Sequence, residues 1–207
     1  AAVLMAMASP AVFAAECQGT LAGQTQCFGA AANGVFASAF GDSANAAGNK
    51  ASAMGHLAAA TGAYSTAVGD NATASNTNTT AAGQNAMASG LNATATGQGA
   101  QATGNNTTAM GQNARALGTN GSVFGQGALA NGSNNSVFGQ NAIAQSAAGG
   151  TVNGASVFGQ NAKGQGAYSS AFGSNATASA YNSSAFGSGA TASASGATAV
   201  GKGATAS

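Results

Sequence analysis

The chain has 207 residues, 33 of them glycine, with only 3% charged and a formal net charge of +1. Large apolar side chains are scarce, with 9 Phe, 5 Met and no Trp, so the 44% hydrophobic fraction is mostly alanine and a conventional globular core is out of reach. Lys50, Arg115, Lys163 and Lys202 are scattered without a basic patch, and His56 with Glu16, Asp42 and Asp70 are few, so neither nucleic-acid binding, nor an enzyme, nor a cofactor is expected.

Residues 1–15, AAVLMAMASPAVFAA, form an uncharged apolar run too short to span a bilayer as a helix. The run matches the apolar segment and A-x-A-like cleavage site of a secretory signal lacking its basic start, so these residues read as a signal remnant. A buried N-terminal helix and a lipoprotein signal before Cys17 are the alternatives. Cys17 and Cys27 are the only cysteines. In the oxidising compartment reached by secretion they are candidates for a disulfide, and no further ligands nearby suggest a metal site. Residues 16–35 show an irregular 12-residue step, from Phe28-Gly29 to Phe40-Gly41, and read as a cap on the repeats after it.

From residue 36 the sequence repeats with a 14-residue period. Glycine recurs at 41, 55, 69, 83, 97, 111, 125 and 139, and after six extra residues at 159, 173, 187 and 201. With that glycine as position zero, Ser or Thr stands at −3 and Ala or Val at −2 in all twelve units. Ala stands at +3 in all twelve and at +5 everywhere except Gly164, while +2 favours Asn or Gly and +7 favours Gly. A short alternating run ending in Gly and then Asn/Gly describes a strand entering a tight turn, and A-x-A with the half-period Gly describes a second strand and turn. Each unit therefore predicts one coil of an all-β, parallel β-solenoid, its coils stacked at about 4.8 Å.

Side-chain parity puts Ala/Val at −2 and Ala at +3 and +5 inside a thin coil. Position −1 then faces out, carrying Phe40, Met54, Val68, Met110, Phe124, Phe138, Phe158, Phe172, Phe186 and Val200. A stripe of this kind left in water forfeits about 1.5–3 kcal/mol per large side chain, so the expectation is an oligomer packed through it. The converse assignment, with −1 inward, would give a monomer. The outer face of the second strand is the candidate ligand face, with Thr73, Met87, Gln101, Arg115, Leu129, Ile143, Lys163, Thr177 and Thr191 at +4. Residues 145–154 contain the extra length and are expected to loop out at the half-period turn. Asp42, His56 and Asp70 share position +1 in three successive coils and predict an electrostatic ladder.

The units SAFG (38–41), TAVG (66–69), SVFG (122–125, 136–139, 156–159), SAFG (170–173, 184–187) and TAVG (198–201), each followed by A-x-A, resemble the YadA-like heads of trimeric autotransporter adhesins. The resemblance covers residues 36–207. It implies a left-handed parallel β-roll of 14-residue coils, a homotrimer packed through the stripe, and display on the outer membrane of a Gram-negative bacterium. It also implies host matrix proteins or cell-surface receptors as partners. The family's stalk and C-terminal membrane anchor are absent from these residues, which stop inside a unit and read as a fragment. Rows of small hydroxyls on a rigid solenoid also describe ice-binding surfaces, and a purely structural spacer is the third reading.

Overall fold

A computed structural model describes residues 25–27 and 29–207. The expected signal remnant at 1–15, residues 16–24 of the cap with Cys17 among them, and Phe28 lie outside the described residues. The described residues contain strands and turns with no helix. Each coil contributes a three-residue strand at −3 to −1 and a two-residue strand at +4 to +5, beginning with β1 (Thr25–Cys27), β2 (Ala31–Ala32), β3 (Ser38–Phe40) and β4 (Asn45–Ala46). The longer strands stack into one 13-stranded parallel sheet and the shorter ones into a second, in chain order. β1 and β2 fall inside 16–35, so that stretch includes the first of thirteen coils.

The register keeps a 14-residue step almost throughout, as in Ser52 beside Thr66 and Met87 beside Gln101. At the start the expected 12-residue step is corrected: Cys27, not Phe28, pairs with Phe40, a step of 13. In the second sheet Ala32 already pairs with Ala46, a step of 14. The interior alanine column thus keeps its register, and the missing residue is taken from the turn between β1 and β2. Cys27 is buried and disulfide-bonded.

Alanine fills the space between the sheets because nothing larger than Val fits. Positions −2, +3 and +5 of the repeat units are buried, apart from the half-buried Ala204 and Ala206 of the last coil, with Val123, Val137 and Val157 the largest apolar side chains there. The exception at +5 has a local cause. A methyl on Gly164 would come within 2.7 Å of Val157 Cγ2 and 3.2 Å of Ala155 Cβ.

Position −4 is also interior, which the repeat pattern does not announce. Ala37, Ala51, Ser65, Thr79, Thr107, Asn135 and Ser183 are all buried there. The hydroxyls of Ser65, Thr79, Thr107 and Ser183 donate to the backbone carbonyl three residues earlier, at 2.6–2.8 Å, which ties off the second turn of those four coils.

Glycine at zero is required twice over. Gly83 has φ +133°, and a Cβ on it would lie 2.6 Å from the carbonyl carbon and oxygen of Gly97 in the next coil. The turn positions +2 and +9 are left-handed with φ near +55°, held by Asn71, Asn85, Asn113 and Asn141 in the first turn and by Asn78, Asn92, Asn106, Asn120 and Asn134 in the second.

The extra residues leave the coil at the second turn. Ser136 pairs with Ser156 and Ile143 with Lys163, both steps of 20, and the flanking pairs return to 14. Gln145 still bonds Gly164 above it, and Val152 resumes contact with Asn131 below, so residues 146–151 are the inserted length. Asn135 fixes the return. Its amide nitrogen donates to Val152 O at 2.6 Å and its oxygen accepts from Ala155 N at 2.8 Å, all of it buried.

Deleting 146–151 restores the 14-residue spacing and should leave the thermal midpoint nearly unchanged, because loop-closure entropy changes slowly with length. A collapse of the fold would refute the register. Asn135→Ala leaves buried Val152 O and Ala155 N without partners and should cost about 1–3 kcal/mol in denaturant unfolding, a loss that Ser133→Ala, two residues away in the same turn and half-buried, should not reproduce.

Candidate functional site

All ten residues of the expected stripe lie on the outer face of the first sheet. Phe40 stands over Met54, Met54 over Val68, Met110 over Phe124, and Phe124 begins an unbroken run to Val200. Phe124, Phe138, Phe158 and Phe172 stack with ring centroids 4.8 Å apart and planes within 8°, and Phe186 follows at 5.3 Å. The coil spacing sets this distance, and each ring covers one face of the next. The outward edges stay wet: Met54 is 48% exposed and Phe186 40%. Ala82 and Thr96 interrupt the stripe between Val68 and Met110. The inward placement of −1 is thereby excluded.

The nine residues of the expected ligand face form one row on the outer face of the second sheet, on the far side of the coil. Thr73, Met87, Gln101, Arg115, Leu129, Ile143, Lys163, Thr177 and Thr191 are each paired with the next in consecutive strands. Met87, Arg115 and Lys163 are exposed, and the others are half-buried by their neighbours. The threonines do not form a continuous row, because other residue types separate Thr73 from Thr177. At the row's middle, Arg115 Nε donates to Gln101 Oε1 at 3.3 Å. Further along, Asn141, Ile143, Asn161, Lys163, Asn175 and Thr177 line an open groove of about 350 Å³ across three coils.

A third set of columns runs along the turns. At +1 the expected Asp42, His56 and Asp70 do meet: His56 Nδ1 donates to Asp70 at 2.8 Å, and His56 Nε2 lies 3.9 Å from Asp42. The column then continues through residues the repeat pattern left unassigned. Gln84 donates to Asp70 at 3.3 Å, and Gln98, Gln112, Gln126, Gln140 and Gln160 each donate to the preceding glutamine at 2.8–3.0 Å. At +9, Asn78, Asn92, Asn106, Asn120 and Asn134 form a second amide ladder at 2.9–3.3 Å. The +9 column is broken by Lys50, Tyr64 and Tyr168, while the +1 column was visible in the sequence as glutamine recurring at the coil period from Gln84 to Gln160. Exposed aromatics were not: Tyr168 and Tyr181 meet edge-to-face at 5.8 Å, and the Lys50 ammonium sits 5.1 Å from the Tyr64 ring centroid. None of these columns encloses a pocket around a nucleophile, and among the described residues no three His, Cys, Asp or Glu side chains gather to hold a metal.

The hydrogen bond from His56, with a second from Gln84, holds the Asp70 carboxyl below its ordinary range. Because the folded-state pKa is the lower one, Asp70 contributes stability at neutral pH that is lost as pH falls through that depressed value. The thermal midpoint of the wild type should therefore converge on that of Asp70→Asn only as pH falls below the ordinary carboxylate range. A gap between the two that stays constant from pH 7 to pH 2 would show that the ladder contributes nothing through ionisation.

No curated protein matches the chain. Residues 32–58, 60–86, 88–114, 102–128, 165–190 and 178–204 match the YadA head domain repeat, more than half of the chain, in the same units whose strands, turns and interior columns are described above. The chain belongs to the YadA head repeat family, the head type of trimeric autotransporter adhesins.

Proposed function

We propose that this chain is the ligand-binding head of a homotrimeric adhesin on the surface of a Gram-negative bacterium. In this reading it is a left-handed β-roll, and three copies pack through the −1 stripe. The disulfide of Cys27 is to Cys17. The head binds host matrix or cell-surface components through the outer face of the second sheet. Family membership supports the adhesin class, and the single observation that carries the assembly is the stacked phenylalanine stripe left partly in water. Five rings in register at 4.8–5.3 Å, from Phe124 to Phe186, make a continuous apolar strip whose outward edges have no cover within the described residues. Burying them against copies of the same strip recovers free energy that a monomer leaves unused. A trimer also presents three parallel ligand rows, so that weak contacts add by avidity.

The measured mass in solution should be three times the 19.1 kDa chain, and Phe124→Asp with Phe138→Asp should dissociate or unfold the assembly. A stable wild-type monomer would overturn the stripe assignment. Folded trimer should then bind collagen, fibronectin, laminin or cells in a surface assay. Failure on all four by folded trimer would refute adhesion, and thermal hysteresis in the same sample would favour ice binding instead.

A further inference from the structure

The groove at the sixth to eighth positions of the ligand row differs from the rest of that face in three ways. Its cation, Lys163, has neither a counter-charge nor a hydrogen-bonding neighbour in the row, whereas Arg115, the row's other cation, donates to Gln101. The described acids, Asp42 and Asp70, lie at the other end of the stack, six or more coils away from Lys163, which at the strand spacing is about 29 Å. The immediate neighbours of Lys163 in the row are Ile143 and Thr177, neither of which can neutralise an ammonium.

Its asparagines are also unusual. Asn141, Asn161 and Asn175 occupy the left-handed +2 position with φ of 54°, 55° and 58°, so their side chains leave the turn in the same direction. In the same column nearer the start, Asn71 donates to Asn85 at 2.8 Å, and in the second turn the column from Asn78 to Asn134 is closed into a ladder. No such bond joins Asn141 to Asn161 or Asn161 to Asn175; Asn175 instead donates to Ser174 Oγ at 3.1 Å. The groove therefore offers amide donors and acceptors that the fold has not used.

Finally, the apolar side chain of Ile143 lies beside them, half-buried, on the same lining. An ammonium, a row of amides able both to donate and to accept, and one apolar surface are complementary to a ring that carries a carboxylate, several hydroxyls and an apolar face. We propose that this groove binds the carboxylated ring of an acidic sugar, with Lys163 on the carboxylate, Asn141 and Asn161 on ring hydroxyls, and Ile143 beneath the ring. The proposal rests on the second sheet's outer face being the ligand-bearing one. An acidic peptide fits less well. The strand Lys163–Gly164 is paired on both sides, so no free sheet edge is available to hold a peptide backbone, and one cation offers little to a run of carboxylates.

The test is ligand-observed saturation-transfer NMR on the full chain, with glucuronic acid, glucose, sodium acetate and a short poly-glutamate peptide as probes. Glucuronic acid should bind, glucose about ten-fold more weakly, and Lys163→Gln should lose glucuronic acid by a similar factor, the loss of one charge-assisted hydrogen bond. Asn161→Ala should weaken glucuronic acid while leaving acetate unchanged. Lys202→Gln, a cation removed from the groove, should bind as the wild type does, and circular dichroism of every variant checks the fold. Equal binding of glucose and glucuronic acid, an unchanged Lys163→Gln, or acetate competing as tightly as the sugar would overturn the proposal. So would tighter binding of the peptide. Matrix binding by Lys163→Gln trimer separates the two readings: adhesion that survives loss of glucuronic acid leaves the adhesin standing, and sugar binding without adhesion does the reverse.

Discussion

Everything in this molecule depends on parallel, in-register stacking with a 14-residue step. Each side chain sits about one strand spacing above its own counterpart in the previous coil, so a residue is acceptable at a given position only if it tolerates a near copy of itself as neighbour. Alanine does so inside, where the two sheets are too close for more, and glycine does so at zero, where the backbones of Gly83 and Gly97 approach too closely for a Cβ. The same condition explains the 3% charge. A column of lysines or aspartates would repel along its whole length, and the few charges present are kept apart by neutral residues or opposite partners. His56 stands between Asp42 and Asp70, and Leu129 and Ile143 separate Arg115 from Lys163.

Amides and aromatic rings are the other solutions to that condition. A carboxamide carries a donor and an acceptor, so Gln84 to Gln160 and Asn78 to Asn134 can each give a hydrogen bond in one direction and receive one from the other. Exposed bonds of this kind contribute little singly, about 0.5–1.5 kcal/mol at most. Their effect is on specificity, because slipping one coil by a residue breaks the ladder in both turns and turns the interior alanines outward at the same time. The rows thereby reinforce a register that a nearly uniform alanine interior would define only weakly.

How much of this was legible in the sequence depended on how many residue types each position admits. Positions zero, −2, −3 and +3 admit one or two, and they show the period, the coil and the direction of the stripe. Position −4 is just as buried but holds Ala51, Ser65, Thr107, Gly121 and Asn135 in turn, which share small size or a bond to the turn carbonyl and not a name. Position +9 hides for a similar reason: its left-handed backbone is taken by asparagine in most coils but by Lys50, Tyr64 and Tyr168 elsewhere. The start misleads in the opposite way. Phe28-Gly29 imitates the −1 and zero residues of a unit, yet Cys27 stands beside Phe40 at a step of 13 while Ala32 keeps the alanine column's step of 14, the difference being absorbed in the turn between the two strands.

The two outer faces record two different demands. On the first, Ser or Thr at −3 and an apolar side chain at −1 recur almost without change, and the rings from Phe124 to Phe172 keep one spacing over four coils. In the proposed trimer this face packs against copies of itself about a symmetry axis and meets an equivalent coil at every height, so each coil needs the same complement and variation is penalised. On the second, the row runs through threonine, methionine, glutamine, arginine, leucine, isoleucine and lysine in as many successive coils. No interior packing restrains that row, because its strands are held by backbone bonds and by the alanines on their other side. Such a face is free to differ from coil to coil, and only a surface that differs along its length can distinguish one part of a ligand from another.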